Sequence, residues 1–151
     1  MERAGKLSAI VTQNIDGLHQ AAGSKNVFEL HGSVHRNYCQ KCGKFFDVNY
    51  VVNAKGVPYC DECGGIIKPD VVLYEEGLDS QTINGAVRAI SKADMLIIGG
   101  TSLVVYPAAG MIDYFKGKYL AVLNRDATSR DKQADLCITD PIGEVLGRIR
   151  V

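Results

Sequence analysis

Two pairs of cysteines, Cys39-Gln40-Lys41-Cys42 and Cys60-Asp61-Glu62-Cys63, constrain this chain more than any other feature of it. Two residues separate the thiols within each pair, a spacing at which one tight turn aims both sulfurs at a single tetrahedral metal. Gly43 and Gly64 each follow the second cysteine of a pair. A glycine there lets the backbone curl until amide N–H groups point at the sulfurs and spread their charge. The segment between the pairs, residues 43–59, has an ordinary length for a zinc ribbon. Two disulfides or a redox CxxC are the competing readings. Nothing in the chain looks secreted and a fifth cysteine, Cys137, is left over, which argues against disulfides. A redox motif needs only one pair. The spacing therefore predicts a structural zinc held by Cys39, Cys42, Cys60 and Cys63.

A chain of 151 residues can bury one core, with the cysteine segment as an excursion from it. Its 17 basic and 17 acidic side chains balance, so no net field draws it toward nucleic acid or an anionic membrane. A ribbon that binds nucleic acid usually carries a basic face, so the overall balance of charge weakens that reading. No stretch is long and apolar enough to span a bilayer, and the opening Met1-Glu2-Arg3-Ala4-Gly5 is no signal peptide. These features predict a soluble, cytoplasmic protein without a direct nucleic-acid or membrane partner. Oligomeric state is left open.

Met1 to Ala4 before Gly5 reads as the tail of a helix with its C-terminal glycine. Leu7 to Thr12 is a short apolar run of strand type, ended by the polar turn Gln13 to Gly17, and a short helix is predicted over Leu18–Ala22. Val27 to Leu30 forms a second strand, with His31-Gly32-Ser33 just past its end. The cysteine excursion runs from Val34 to Lys68, after which Val71 to Tyr74 is extended. Ser80 to Lys92 is amphipathic, with Ile83, Val87 and Ile90 on one face. Met95 to Ile98 is unbroken and apolar, as in a parallel strand buried on both faces. Pro107 opens a predicted helix over Ala108–Phe115. Tyr119–Leu123 and Asp135–Thr139 read as further strands, and Pro141 starts a closing helix toward Ile149.

Strands alternating with helices predict an α/β fold with an open, Rossmann-like parallel sheet, whose ligands sit beyond the carboxyl ends of the strands. Residues 1–33 and 69–151 are assigned to that domain and residues 34–68 to a small zinc-binding one. The polar clusters fall at strand ends. Gly99-Gly100-Thr101-Ser102 is either a tight strand-to-helix turn or a turn whose amides and hydroxyls approach phosphate. Asn124 is a plain turn residue or a partner for a ribose hydroxyl. Gln13, Asn14 and Asp16 form an Asx turn or a ligand-binding cluster, with more hydrogen-bonding groups than a turn requires. His31 caps a strand or serves as a general base, since an imidazole titrates near neutrality.

Thr12 to Gln20 (TQNIDGLHQ), Glu29 to Ser33 (ELHGS), the paired CxxC motifs and Gly100 to Gly110 (GTSLVVYPAAG) appear in that order. Together they resemble the sirtuin family, the NAD-dependent protein-lysine deacylases, in the bacterial form. The resemblance covers nearly the whole chain. It implies that His31 is the catalytic base, taking a proton from a ribose hydroxyl after nicotinamide has left. It implies that Asn14, catalytic together with His31, and Asp16 surround the nicotinamide and that Gln13 contacts its ribose. Gly100, Thr101 and Ser102 match the phosphate and ribose turn, while Asn124 and its neighbour Arg125 match the adenosine-ribose position. Val71 and Tyr74 match the strand that takes an acylated-lysine peptide, pinned against Leu103 and Val104 by main-chain hydrogen bonds. The products implied are deacylated lysine, nicotinamide and O-acyl-ADP-ribose, with a zinc too distant to do chemistry.

The chain departs from the family pattern in two ways. Tyr74-Glu75-Glu76 stands where Phe-Gly-Glu is commonest, placing a carboxylate beside the peptide groove, which would favour basic substrates. The first strand, the glycine-rich loop and the Pro-Asp-Phe-Arg stretch of the family have no counterpart after Met1. The expectation is a C-terminal portion of such an enzyme, with little or no turnover of its own. Two other outcomes compete: a non-catalytic, zinc-stabilised peptide-binding module, and a mono-ADP-ribosyltransferase using the same cofactor cleavage.

Overall fold

The computed structural model describes residues 1–150; Val151, the last residue of the second predicted domain segment, lies outside the described residues. The chain divides into two compact units, Ile10–Ile83 and a second formed by Met1–Ala9 with the segment from Asn84 onward.

In the first unit, strand β1 (Ile10–Thr12) and strand β2 (Val27–Glu29) pair in parallel, with Val11 opposite Phe28. Helix α1 (Leu18–Ala21) makes the crossover between them. The chain then enters β3 (Gly32–Cys39), an eight-residue strand flanked by β4 (Phe45–Asp47) and β5 (Ile67–Val71) in an antiparallel sheet. The cysteine spacing predicts a zinc excursion over Val34–Lys68 and assigns no elements within it. The difference has a physical cause: the register slips between Ser33 and Asn37, so the alternation of inward and outward residues is interrupted. Arg36, in the irregular stretch, reaches Glu29 of β2 at 2.6 Å and Asp70 of β5 at 2.8 Å, tying three strands together. Buried Asn37 donates to the Val34 carbonyl at 3.1 Å and fills the fold of the bulge. A short helix α2 (Val48–Val52) follows β4, capped by the Asp47 carboxylate, which accepts the Tyr50 N–H at 2.9 Å.

Gly32 fixes the start of β3. Its φ is +76°, and a Cβ there would run into the carbonyl oxygen of Asp70. Gly32→Ala is expected to cost about 3 kcal/mol or more, combining a left-handed backbone with loss of close strand pairing. Urea unfolding of the variant checks this; an unchanged midpoint would contradict it.

In the second unit, β6 (Met95–Gly99), β7 (Tyr119–Leu123) and a short β8 (Leu136–Ile138) form a parallel sheet in the order β6-β7-β8. The strand buried on both faces is β7, where Leu120, Ala121, Val122 and Leu123 are all inaccessible. This corrects the expectation for β6, in which Met95 and Gly99 are exposed, Leu96 and Ile97 half-buried and Ile98 alone buried. Ile98, Leu120 and Val122 form the core, with Ile112 and Phe115 packed against it. Helix α3 (Ser80–Lys92) forms where predicted; Asp79 caps it by accepting the Thr82 N–H at 2.7 Å, and Ala86 and Ile90 are buried. The predicted helix after Pro107 is instead a 3-10 helix, Ala108–Tyr114, and α4 (Ile142–Gly147) is shorter than expected. Among the described residues no helix is long and apolar enough to cross a membrane.

Candidate active site and metal centre

The end of β1 and the start of β3 carry one group of candidate residues. The Leu30 N–H donates to the Thr12 carbonyl at 2.9 Å, after which the chain turns and presents His31 to the segment following β1. His31 Nδ1 lies 3.0 Å from the Gln13 carbonyl oxygen. A carbonyl only accepts, so Nδ1 carries the proton and the neutral ring keeps its lone pair on Nε2. That is the tautomer a general base at Nε2 requires. Gln13 is half-buried, while Asn14 and Asp16 are exposed. The Asn14 N–H donates to Thr12 Oγ1 at 3.1 Å, and Asp16 Oδ1 accepts the Leu18 N–H at 3.0 Å. One carboxylate oxygen of Asp16 thus starts α1, as an Asx turn would, and of this cluster Gln13 touches the His31 ring, through its carbonyl.

The same unit joins His31 to the predicted peptide strand. Gly32 pairs with Val71, and the Val72 N–H donates to the His31 carbonyl at 3.1 Å. The expected extended stretch Val71–Tyr74 is corrected here. The strand ends at Val71, and Leu73–Glu76 is a reverse turn closed by the Glu76 N–H on the Leu73 carbonyl at 3.1 Å. Glu75 occupies the position of that turn where glycine is favoured, at φ +71°. Glu76 Oε2 accepts both the Leu73 N–H at 2.8 Å and Lys68 Nζ at 3.3 Å, and these partners hold its carboxyl below the ordinary carboxylate range. Lys68 Nζ also donates to the Val71 carbonyl at 2.8 Å. Tyr74 stands on the turn almost fully exposed.

In the other unit, β6 and β7 end side by side, with Gly99 opposite Leu123. Gly100, at φ +61°, donates its N–H to the Leu123 carbonyl at 3.1 Å. Thr101 Oγ1 accepts the Leu103 N–H at 3.2 Å, while Ser102 and Val104 are exposed. Leu103 takes φ +57° and packs on the Ile98–Val122 core. Asn124 follows β7 at once; its side-chain amide donates to the Asp126 carbonyl at 2.9 Å, and Arg125 is exposed. The glycine-hydroxyl turn and Asn124 therefore share one edge, beyond the carboxyl ends of two adjacent parallel strands.

The two cysteine pairs form matching knuckles. Cys39 N–H donates to the Lys44 carbonyl and Gly43 N–H to the Cys39 carbonyl, both at 2.9 Å. Cys60 N–H donates to the Gly65 carbonyl at 2.8 Å and Gly64 N–H to the Cys60 carbonyl at 3.0 Å, the same pattern repeated. All four sulfurs lie within 4.8 Å of one another, with Cys39 and Cys63 at 3.4 Å and Cys42 and Cys60 at 3.7 Å. Those separations are far too long for disulfides and close to the edge of about 3.8 Å of a tetrahedron of thiolates around zinc. A Cβ on Gly65 would come 2.7 Å from Cys39 Sγ, so the second knuckle is shaped around the sulfurs. Burial opposes ionisation of Cys39, but the Cys42 and Lys41 amides and the neighbouring sulfurs bring its thiol down to about 6. At Cys42 the Lys44 amide lowers the thiol, yet the Cys63 and Cys39 sulfurs outweigh it and push it up to about 12. Four sulfurs this close share negative charge only with a cation among them, and an all-thiolate tetrahedron selects zinc. Lys44 Nζ completes the surroundings, at 2.8 Å from Asp61 and 2.9 Å from Glu62 on the opposite knuckle.

The sequence model of the Sir2 family matches residues 1–107. The chain belongs to the Sir2 family. This Sir2-family chain is 67% identical over 147 residues to the NAD-dependent protein deacetylase of Clostridium acetobutylicum, a match covering 97% of this chain and 60% of that protein. It is 66% identical over 150 residues to the enzyme of the same name from Clostridium perfringens, covering 99% of this chain and 62% of the relative. The chain thus spans about three fifths of the length of the curated relatives it matches. A crystal structure of Sir2 with the inhibitor EX-527, 2'-O-acetyl-ADP-ribose and a deacetylated p53 peptide is similar at TM-score 0.89 and 40% identity, over 97% of this chain and 65% of that one. A Sir2 complex with a p53 peptide and NAD+ is similar at TM-score 0.89 and 39% identity, over 97% and 63% of the two chains. The expected α/β fold, with a Rossmann-like parallel sheet and a zinc-ribbon insertion, is borne out. The sequence motifs give no role to His35, Lys44 or Lys68, and Glu76 enters them only as the last residue of Tyr74-Glu75-Glu76. Each acts on a residue distant along the chain or in a turn without glycine, and only the Lys44–knuckle proximity had a local clue in its position two residues after Cys42.

Proposed function

We propose that this chain carries the substrate-handling and base chemistry of an NAD-dependent protein-lysine deacylase, yielding nicotinamide, deacylated lysine and O-acyl-ADP-ribose. The observation that carries the proposal is His31, tethered at Nδ1 by the Gln13 carbonyl at 3.0 Å with Nε2 left as the basic nitrogen. The names of the relatives and the ligands of the similar Sir2 structures support it.

NAD supplies an electrophilic ribose carbon with nicotinamide as leaving group. In this reading His31 accepts the ribose hydroxyl proton through Nε2. Gln13 contacts the adjoining ribose, and Asn14 and Asp16 hold the nicotinamide. On the other unit Gly100, Thr101 and Ser102 cradle phosphate and ribose, with Asn124 and Arg125 at the adenosine ribose. Val71, Tyr74, Leu103 and Val104 are the residues assigned to the acyl-lysine peptide. Residues 34–68 form the zinc-held small domain, and residues 1–33 and 69–151 the NAD-binding domain. A reducing compartment such as the cytoplasm suits the cluster of free thiols.

The test is to incubate zinc-loaded protein with NAD and an acetyl-lysine peptide and to quantify both products. Even slow turnover is expected to release nicotinamide and deacetylated peptide in equal amounts. Peptide binding without NAD binding, or ADP-ribose attached to protein with acetyl groups retained, would overturn the proposal.

A further inference from the structure

We infer that His35 is a positioning residue for the loop Gln13–Gly17, holding Asp16 in place for the nicotinamide end of NAD; the inference rests on the function proposed above. Three carbonyls of this loop accept hydrogen bonds from the segment that begins with His31. Gln13 accepts from His31 Nδ1 at 3.0 Å, Ile15 from the Val34 N–H at 3.1 Å, and Asp16 from His35 Nε2 at 2.9 Å. The first bond belongs to the candidate base and the second is main chain. Only the third comes from a side chain with no assigned part in the reaction.

The His35 ring does more than donate one proton. A Cβ placed on Gly17 would come 2.7 Å from His35 Cδ2 and 2.9 Å from Nε2, so the imidazole lies directly against the Gly17 backbone. The ring is itself set by its own main chain, whose N–H donates to the buried Ser33 Oγ at 3.2 Å. Asp16 is thereby held twice, at its carbonyl by His35 and at Oδ1 by the Leu18 N–H at 3.0 Å. With both fixed, the carboxylate has little freedom to rotate, and Oδ2 is left as the acceptor for a ligand amide. His35 is exposed and buries little apolar surface, so its contribution lies in this tether and not in the core.

The experiment compares wild-type, His35→Ala and His35→Gln proteins by hydrogen exchange and by calorimetric titration with NAD. In His35→Ala, amides of residues 15–18 are expected to exchange about tenfold faster, and NAD to bind about tenfold more weakly. Glutamine offers an N–H donor of similar reach and should restore most of both. Exchange at residues 15–18 unchanged in His35→Ala would overturn the tether. Faster exchange across the whole unit would show a general structural role and overturn it too. A loosened loop with undiminished NAD affinity would remove the positioning role. Absence of NAD binding by the wild type would defeat the functional proposal itself and the positioning role with it, a result separable from the others because it needs no variant.

Discussion

Chelation of the metal, or Cys42→Ser, is expected to unfold the segment Gly32–Val71. The residues buried within it are few: apart from Gly32, Ser33 and Asn37 they are Cys39, Phe46, Cys60 and Ile67, and two of those four are themselves ligands. Ordering each residue costs about 1–2 kcal/mol of backbone entropy, and two apolar side chains at about 1.5–3 kcal/mol each come nowhere near offsetting that. A structural zinc contributes on the order of 10–16 kcal/mol of apparent binding free energy, which is folding free energy where no site exists in the unfolded chain. A colorimetric zinc assay during chelation should show metal release in step with loss of exchange protection at β3 residues 36–39. Retained protection after complete metal removal would show that the sheet stands without the ion.

The second large effect is chemical and rests on the function proposed above. There, His31→Ala is expected to lower whatever single-turnover deacetylation the chain supports by about 10²–10⁴-fold, the range associated with loss of a positioned general base. Binding of NAD and of an acetyl-lysine peptide should change little, because the imidazole is only half-buried and is tied to the protein through a hydrogen bond to the Gln13 carbonyl. In the proposed mechanism the proton is taken after nicotinamide departs, so exchange of labelled nicotinamide into NAD should survive far better than product formation. Equal losses in both reactions would mean that His31 serves cofactor binding and not proton transfer.

How much of this was legible in the chain depended on how local the cause was. The metal cluster could be read because ligand spacing, glycine and turn lie within a few residues of each other, at Cys39–Gly43 and Cys60–Gly64. Helix α3 and strand β7 announce themselves by period and by an unbroken apolar run. Strand β3 did not, because the slip between Ser33 and Asn37 breaks its alternation and a buried asparagine sits where an apolar residue would mark the inner face. The Leu73–Glu76 turn was invisible for a different reason: a glutamate stands at its positive-φ position, stabilised by the Lys68–Glu76 contact from five residues before the turn. The His31 and His35 tethers to Gln13 and Asp16 join residues 18 and 19 positions apart, which no local pattern encodes.

Strand β3 begins immediately after His31 and ends on Cys39, so one run of backbone has the imidazole at its root and a thiolate at its tip. At about 3.3 Å per residue, those groups stand on the order of 20 Å apart, beyond any direct influence of the ion on a reacting bond. The ion would instead act as an anchor bolt on a strut. Inhibition by a chelator would then be real yet say nothing of Lewis acidity, and its time course would follow collapse of the strut as the bolt is withdrawn.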